Sequence, residues 1–152
     1  MIYFGEFEGY EGQAELVSEA VRKVRGLQKR VEIELYIVDS EEIRELNLES
    51  RGIDKATDVL SFPTLELFEK PFRLKDNKLD INPETGNLSL GTIIMCEEVM
   101  KAQAVEYGTG EREFSYLLAH GTLHLLGFDH MQEEEKSRMR AEEEKILAIA
   151  LK

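Results

Sequence analysis

All three histidines of the chain fall within residues 120–130, a stretch that reads HGTLHLLGFDH. Neutral imidazole is the commonest side-chain metal ligand. His120 and His124 are four residues apart, so a helix would place them on one face, one turn apart. Gly127 can adopt the left-handed conformation that ends a helix, which would bring His130 back to the same ion. The spacing predicts a metal site with three nitrogen ligands.

Three imidazoles leave one position of a tetrahedral zinc ion open for water, which is typical of a catalytic site. Closed structural sites more often use cysteines and four protein ligands. The only cysteine, Cys96, is far from the histidines in sequence. We therefore expect one Zn²⁺ ion held by His120, His124 and His130 together with a water. Nickel, cobalt or copper would also bind such a set.

The histidine spacing equals that of the metzincin peptidases, in which a glutamate directly after the first histidine is the general base. In this chain that position is Gly121. A metzincin-like metallopeptidase is therefore an alternative that lacks a named part of its mechanism. A glycine inside a helix costs about 1 kcal/mol relative to alanine. Gly121 indicates either space beside the metal or close packing of the helix on a strand, and the sequence leaves both open.

Hydrophobic periodicity predicts the elements that position the histidines. We expect helices over 13–28, 41–49, 97–107, 111–126 and from about 133, and strands over 31–38, 59–62 and 88–96. Residues 64–87 have no clean period and predict a long surface excursion, with a strand near 79–81. The predicted fold is α+β: one domain over residues 1–152, with a small mixed β-sheet packed with about five helices. The metal site would lie on a helix and turn near the C-terminus.

Composition limits the class of protein. The chain has 152 residues, 42% of them hydrophobic. No stretch is apolar over the length of a membrane span, and we expect no signal peptide. A single cysteine agrees with a reducing compartment, so we expect a cytoplasmic protein. The net charge of −12 opposes casual binding to nucleic acid. A basic cluster over residues 22–30 could still hold a polyanion, or it could be a solvated helix face.

A second motif precedes the histidines: Arg51 is followed by residues 55–63, which read KATDVLSFP. The two motifs together resemble the YbeY family of bacterial ribosomal RNA maturation factors. The resemblance implies a single-strand endoribonuclease that acts in 16S rRNA 3′-end maturation and ribosome quality control. It also implies zinc on the three histidines, Arg51 in the active cleft, and an rRNA precursor and the ribosomal small subunit or its proteins as partners. One position departs from the family: Thr92 replaces the usual aspartate of the strand.

Arg51 suits phosphate chemistry, because its guanidinium is a planar fork of donors that stays charged. The alternative is an ordinary salt bridge to Asp54 or Asp58. Asp58 or Asp129 could instead support a histidine ligand. The nucleophile, an activated water or the RNA 2′-hydroxyl, stays open, as does the oligomeric state. A non-enzymatic ribosome-assembly factor with a structural metal is a further alternative.

Overall fold

The computed structural model describes residues 1–65 and 74–152. Within them the chain forms a four-stranded sheet and five α-helices, which confirms the predicted α+β class with a small mixed sheet and about five helices. The strands are β1 (Ile2–Glu6), β2 (Val31–Val38), β3 (Val59–Pro63) and β4 (Leu88–Cys96). The helices are α1 (Glu11–Arg25), α2 (Ser40–Arg51), α3 (Glu97–Tyr107), α4 (Arg112–Leu125) and α5 (Glu133–Ala150).

The sheet is mixed and has the order β1-β2-β4-β3. β1 and β4 both pair in parallel with β2, whereas β3 pairs antiparallel with β4. The β2–β4 register shifts by one residue, because Glu32 pairs with Ser89 while Ile33 pairs with Gly91. Leu90 is therefore the extra residue of a bulge, as a glycine inside a strand suggests. β4 holds the sheet together from its interior.

Two hydrophobic clusters cover the two faces of the sheet. The larger cluster joins α1, α4 and α5 to Ile33, Leu35 and Ile93. The smaller cluster contains Ile43 of α2 together with Leu60, and Ile94 packs against it. Side chains alternate along a strand, so the neighbours Ile93 and Ile94 lie on opposite faces. This places α4, which carries the first two histidines, against one face and α2, which ends at Arg51, against the other.

The element bounds differ from the expectations in a few places. α1 ends at Arg25 because Gly26 adopts a left-handed conformation with φ +68, so residues 27–28 are outside the helix. The strand expected near 79–81 is wrong, since Leu74–Asp80 form a 3₁₀ helix. β1 was not predicted at all. The expected excursion over 64–87 lies partly outside the described residues.

α2 begins where the sequence indicates. Asp39 has extended backbone geometry, and its Oδ1 accepts a hydrogen bond of 2.9 Å from the backbone N–H of Glu42. This side-chain cap satisfies one of the unpaired donors of the first turn. None of the helices in the described parts of the chain is long and apolar enough to cross a membrane.

Candidate metal centre

The three histidines converge on one point. His120 and His124 lie one turn apart on α4, and Gly127, with φ +98, turns the chain after the helix ends. His130 returns beside them, and one ring nitrogen from each histidine lies within 4.8 Å of the other two. The structure thus brings together the three residues that the spacing predicts, in a position to bind a metal ion.

Hydrogen bonds fix which nitrogens face the point of convergence. The Nδ1–H of His124 donates to the backbone carbonyl of Phe128 over 2.9 Å, and a carbonyl can only accept. The Nδ1–H of His120 donates to a carboxylate oxygen of Glu143 over 3.0 Å. In the neutral rings both Nε2 atoms therefore carry lone pairs, and these two atoms are only 3.1 Å apart.

The donor set fits a metal ion. Two lone pairs that face each other at 3.1 Å repel unless a cation lies between them. Two nitrogens bound to one tetrahedral zinc at the usual bond length are separated by about 3.3 Å, which is close to the observed spacing. His124 also stays neutral, since burial, followed by the charges of His120 and His130, lowers its pKa to about 4. A neutral ring is the form that binds metal.

The hydrogen bond between His120 and the carboxylate of Glu143 is not predicted from the sequence. The sequence suggested Asp58 or Asp129 as support for a histidine, but the oxygens of both accept backbone N–H groups, from Val59 and His130. Glu143 lies on α5, 23 residues after His120, so no local spacing could have identified it. The contact exists because α5 packs along α4.

An open cleft of about 730 Å³ contains the histidines and a second set of polar residues. We call residues 120–131 of its lining the histidine wall. The facing set, which we call the arginine wall, comprises Ser50, Arg51 and residues 57–63. The fold therefore brings the two sequence motifs to one cleft, although α2, which ends at Arg51, and α4 lie on opposite faces of the sheet.

Arg51 has no hydrogen bond or ion pair among the described residues, and it is exposed. The two salt bridges considered for it are not formed. Asp54 pairs with Arg44 through a 2.5 Å contact, and Asp58 accepts the backbone N–H of Val59 over 2.7 Å. Arg51 thus lines the cleft without a polar partner in the described parts of the chain.

Gly121 serves the packing of α4 on the sheet. A Cβ atom at this position would lie 3.1 Å from the Oγ of Ser61 and 3.1 Å from the Cδ1 of Ile93. Close packing therefore explains the glycine. A glutamate here would start against side chains of β3 and β4, so close packing disfavours the peptidase base at this position. Thr92, the departure from the family pattern, pairs with Phe62 in the β3–β4 ladder.

Fold and site together define an α+β protein with three histidines positioned to bind a metal ion in an open cleft. The family described as Endoribonuclease YbeY matches residues 6–150, and the chain belongs to this family.

Relatives with the same description cover most of the chain. A protein of Agathobacter rectalis is 43% identical over 143 residues, which is 91% of this chain and 86% of the relative. One from Clostridium botulinum strain Eklund 17B is 45% identical with the same coverage. A Thermotoga maritima protein of known solution structure has 28% identity and a TM-score of 0.57, over 96% of this chain and 88% of that one.

Proposed function

We propose that this chain is a zinc-dependent endoribonuclease that cleaves single-stranded RNA in the 3′-end maturation of 16S ribosomal RNA. The observation that carries the proposal is the cleft shared by the three histidines and Arg51, which has no hydrogen bond or ion pair among the described residues. Relatives described as endoribonucleases support RNA as the substrate. A ribosomal substrate in turn implies that the protein acts in the cytoplasm and takes part in ribosome quality control.

Three residues of the histidine wall, His120, His124 and His130, would hold the ion. His120 and His124 present Nε2 because their Nδ1–H groups are engaged by Glu143 and by the carbonyl of Phe128. His130, which is exposed, completes the set from the loop after α4. When bound, the ion supplies Lewis acidity, since zinc lowers the pKa of a coordinated water to about 7 and polarises a phosphoryl oxygen.

Arg51 is the proposed catalytic residue of the arginine wall. Its guanidinium can donate two parallel hydrogen bonds to the oxygens of the phosphate that is cleaved. The charge on that phosphate grows in the transition state, so a fixed cation beside it lowers the barrier. Asp58 holds the start of β3 through Val59 and so keeps the arginine wall in place.

Ribosomal partners are proposed to supply much of the docking. The net charge of −12 repels a polyanion at long range. The basic cluster over residues 22–30 offsets this only in part, because Arg22 pairs with Glu19 at 2.8 Å and Arg25 with Glu142 at 3.2 Å. The small subunit or one of its proteins would then present the RNA end to the cleft.

The test combines metal analysis with RNA cleavage. We expect the purified chain to contain about one zinc per molecule and to cut a single-stranded 16S 3′-precursor RNA. Cleavage should stop with a chelator and return with Zn²⁺, and a duplex of the same sequence should resist. The product ends identify the nucleophile, because attack by the 2′-hydroxyl leaves a 2′,3′-cyclic phosphate and attack by water does not.

Two outcomes would overturn the proposal. If the protein cleaved casein in a chelator-sensitive way but did not cleave RNA, it would be a peptidase, despite the glycine at position 121. Zinc-replete protein that cuts no RNA, alone or with small subunits, but melts far lower without zinc would mean an assembly factor with a structural metal.

A further inference from the structure

A buried carboxylate lies behind the metal centre. Glu143 is only 7% exposed, and besides Glu113 it is the only buried acidic residue in the described parts of the chain. Burial of a carboxylate without a partner costs several kcal/mol, so such a group requires a specific interaction. For Glu143 that interaction is the 3.0 Å hydrogen bond from the Nδ1–H of His120. Glu143 therefore acts on His120 and does not line the open cleft.

We infer that Glu143 is a positioning residue that sets the tautomer and orientation of His120 for metal binding. This inference rests on the proposed function, since it gives Glu143 a role only if the histidines hold an ion. A carboxylate that accepts from Nδ1–H keeps the proton on that nitrogen and leaves the Nε2 lone pair free. The negative charge behind the imidazole also makes the ring a stronger ligand for a cation.

Glu142, which precedes Glu143 in α5, is linked indirectly to His124. The guanidinium of Arg25 pairs with Glu142 at 3.2 Å and lies 4.9 Å from the ring centroid of Phe128. The carbonyl of Phe128 is the group that accepts the Nδ1–H of His124. Arg25 and Glu142 are mostly buried, with side chains 15% and 13% exposed, so this arrangement is shielded from solvent. α5 thus restrains both helix-borne histidines, one directly and one through Arg25 and Phe128.

A purely structural role for Glu143 makes a different prediction. If the bond to His120 only joined α5 to α4, its loss would lower the melting temperature of the metal-free protein and leave the affinity for metal unchanged. The isosteric substitution Glu143→Gln separates the two roles. It keeps the shape and an acceptor oxygen but removes the negative charge. Glu144→Gln is the matched control, because Glu144 is the exposed next residue of the same helix.

The affinity experiment uses the full chain and Zn²⁺ alone, titrated in competition with a chromogenic chelator. We expect Glu143→Gln to raise the Kd for Zn²⁺ about 10- to 100-fold. Glu144→Gln should match the wild type. A Kd for Glu143→Gln within about twofold of the wild type overturns this inference and leaves the proposed function standing. A wild type that binds no Zn²⁺ overturns both.

A measurement on the wild type covers the case in which Glu143→Gln fails to fold. Nitrogen-15 NMR of the metal-free protein at neutral pH reports which ring nitrogen of each histidine carries the proton. We expect the Nδ1–H tautomer for His120. Finding the Nε2–H tautomer there would overturn the inference without any substitution.

Discussion

The two walls of the cleft differ in how their polar groups are held. On the histidine wall, the Nδ1 atoms of His120 and His124 are engaged by Glu143 and by a backbone carbonyl. On the arginine wall, Arg51 is exposed, with no hydrogen bond or ion pair to the rest of the described chain. The difference suggests a division of labour. The proposed metal ligands are oriented by the fold, whereas the cation proposed to bind the substrate has no such restraint among the described residues.

Removal of a ligand from the histidine wall should have the largest effect. We expect His124→Ala to lose tight zinc binding and to reduce RNA cleavage about a thousandfold or more, since Lewis acidity contributes several kcal/mol to such reactions. Metal analysis and initial cleavage rates measure the two losses. Full zinc and full cleavage in this variant would mean that the site is elsewhere. Circular dichroism of the metal-free proteins verifies that the variant is folded.

Gly91 lies where β3 and α4 meet, and the addition of a side chain there should have the next largest effect. Gly91 has φ +140, and an added Cβ would collide with the carbonyl oxygen of Phe62 and lie 3.0 Å from Leu125. β3 of the arginine wall and α4 of the histidine wall therefore both pack on it. We expect Gly91→Ala to lower the free energy of unfolding by about 3 kcal/mol, through strain and crowding combined.

Urea denaturation measures this loss, and Gly108→Ala is the control. Gly108 also has a left-handed conformation, φ +66, but nothing lies within 4 Å of an added Cβ. Its cost should be limited to the backbone term of about 1–2 kcal/mol. Equal losses in the two variants would mean that the walls do not depend on the close approach at Gly91.

The sequence predicts the two walls unequally well. The histidine wall depends on helix spacing and a glycine turn, which are local, so its convergence is predictable. Glu143 could not be found in this way, because its contact spans 23 residues and depends on the packing of α5. The location of Arg51 in the cleft came only from the family resemblance, since helix and loop patterns do not say which face of a sheet a loop will reach. β1 is not predicted because the strand has only five residues, of which only Tyr3 is buried.

Loss of the Arg51 guanidinium should have an intermediate effect. We expect Arg51→Ala to lower kcat/KM for RNA cleavage about 10- to 100-fold, the amount that charged hydrogen bonds contribute. Zinc content and melting temperature should stay at wild-type values, because Arg51 is exposed and makes no hydrogen bond to the three histidines. Arg51→Lys should recover only part of the rate, since an ammonium cannot form the planar fork. A drop in zinc content with Arg51→Ala would contradict the separation of the two walls.

The smallest effect is expected at Arg44, on the same helix as Arg51. Its guanidinium pairs with Asp54, and both side chains are more than half exposed. Surface pairs of this kind contribute little to stability. We expect Arg44→Ala to leave RNA cleavage within about a factor of two of the wild type. A loss as large as that of Arg51→Ala would mean that general positive charge on α2, rather than one positioned cation, drives activity.

The strand order has a consequence for how the chain acquires its cleft. β3 and β4 are consecutive strands that pair with each other, and β4 also pairs with the earlier strand β2. Until β4 inserts between β2 and β3, β3 has no strand partner in the sheet. Such non-local pairing is slow relative to helix formation. We expect the insertion of β4 to limit the folding rate, and partly folded molecules that lack it to have helices but no cleft.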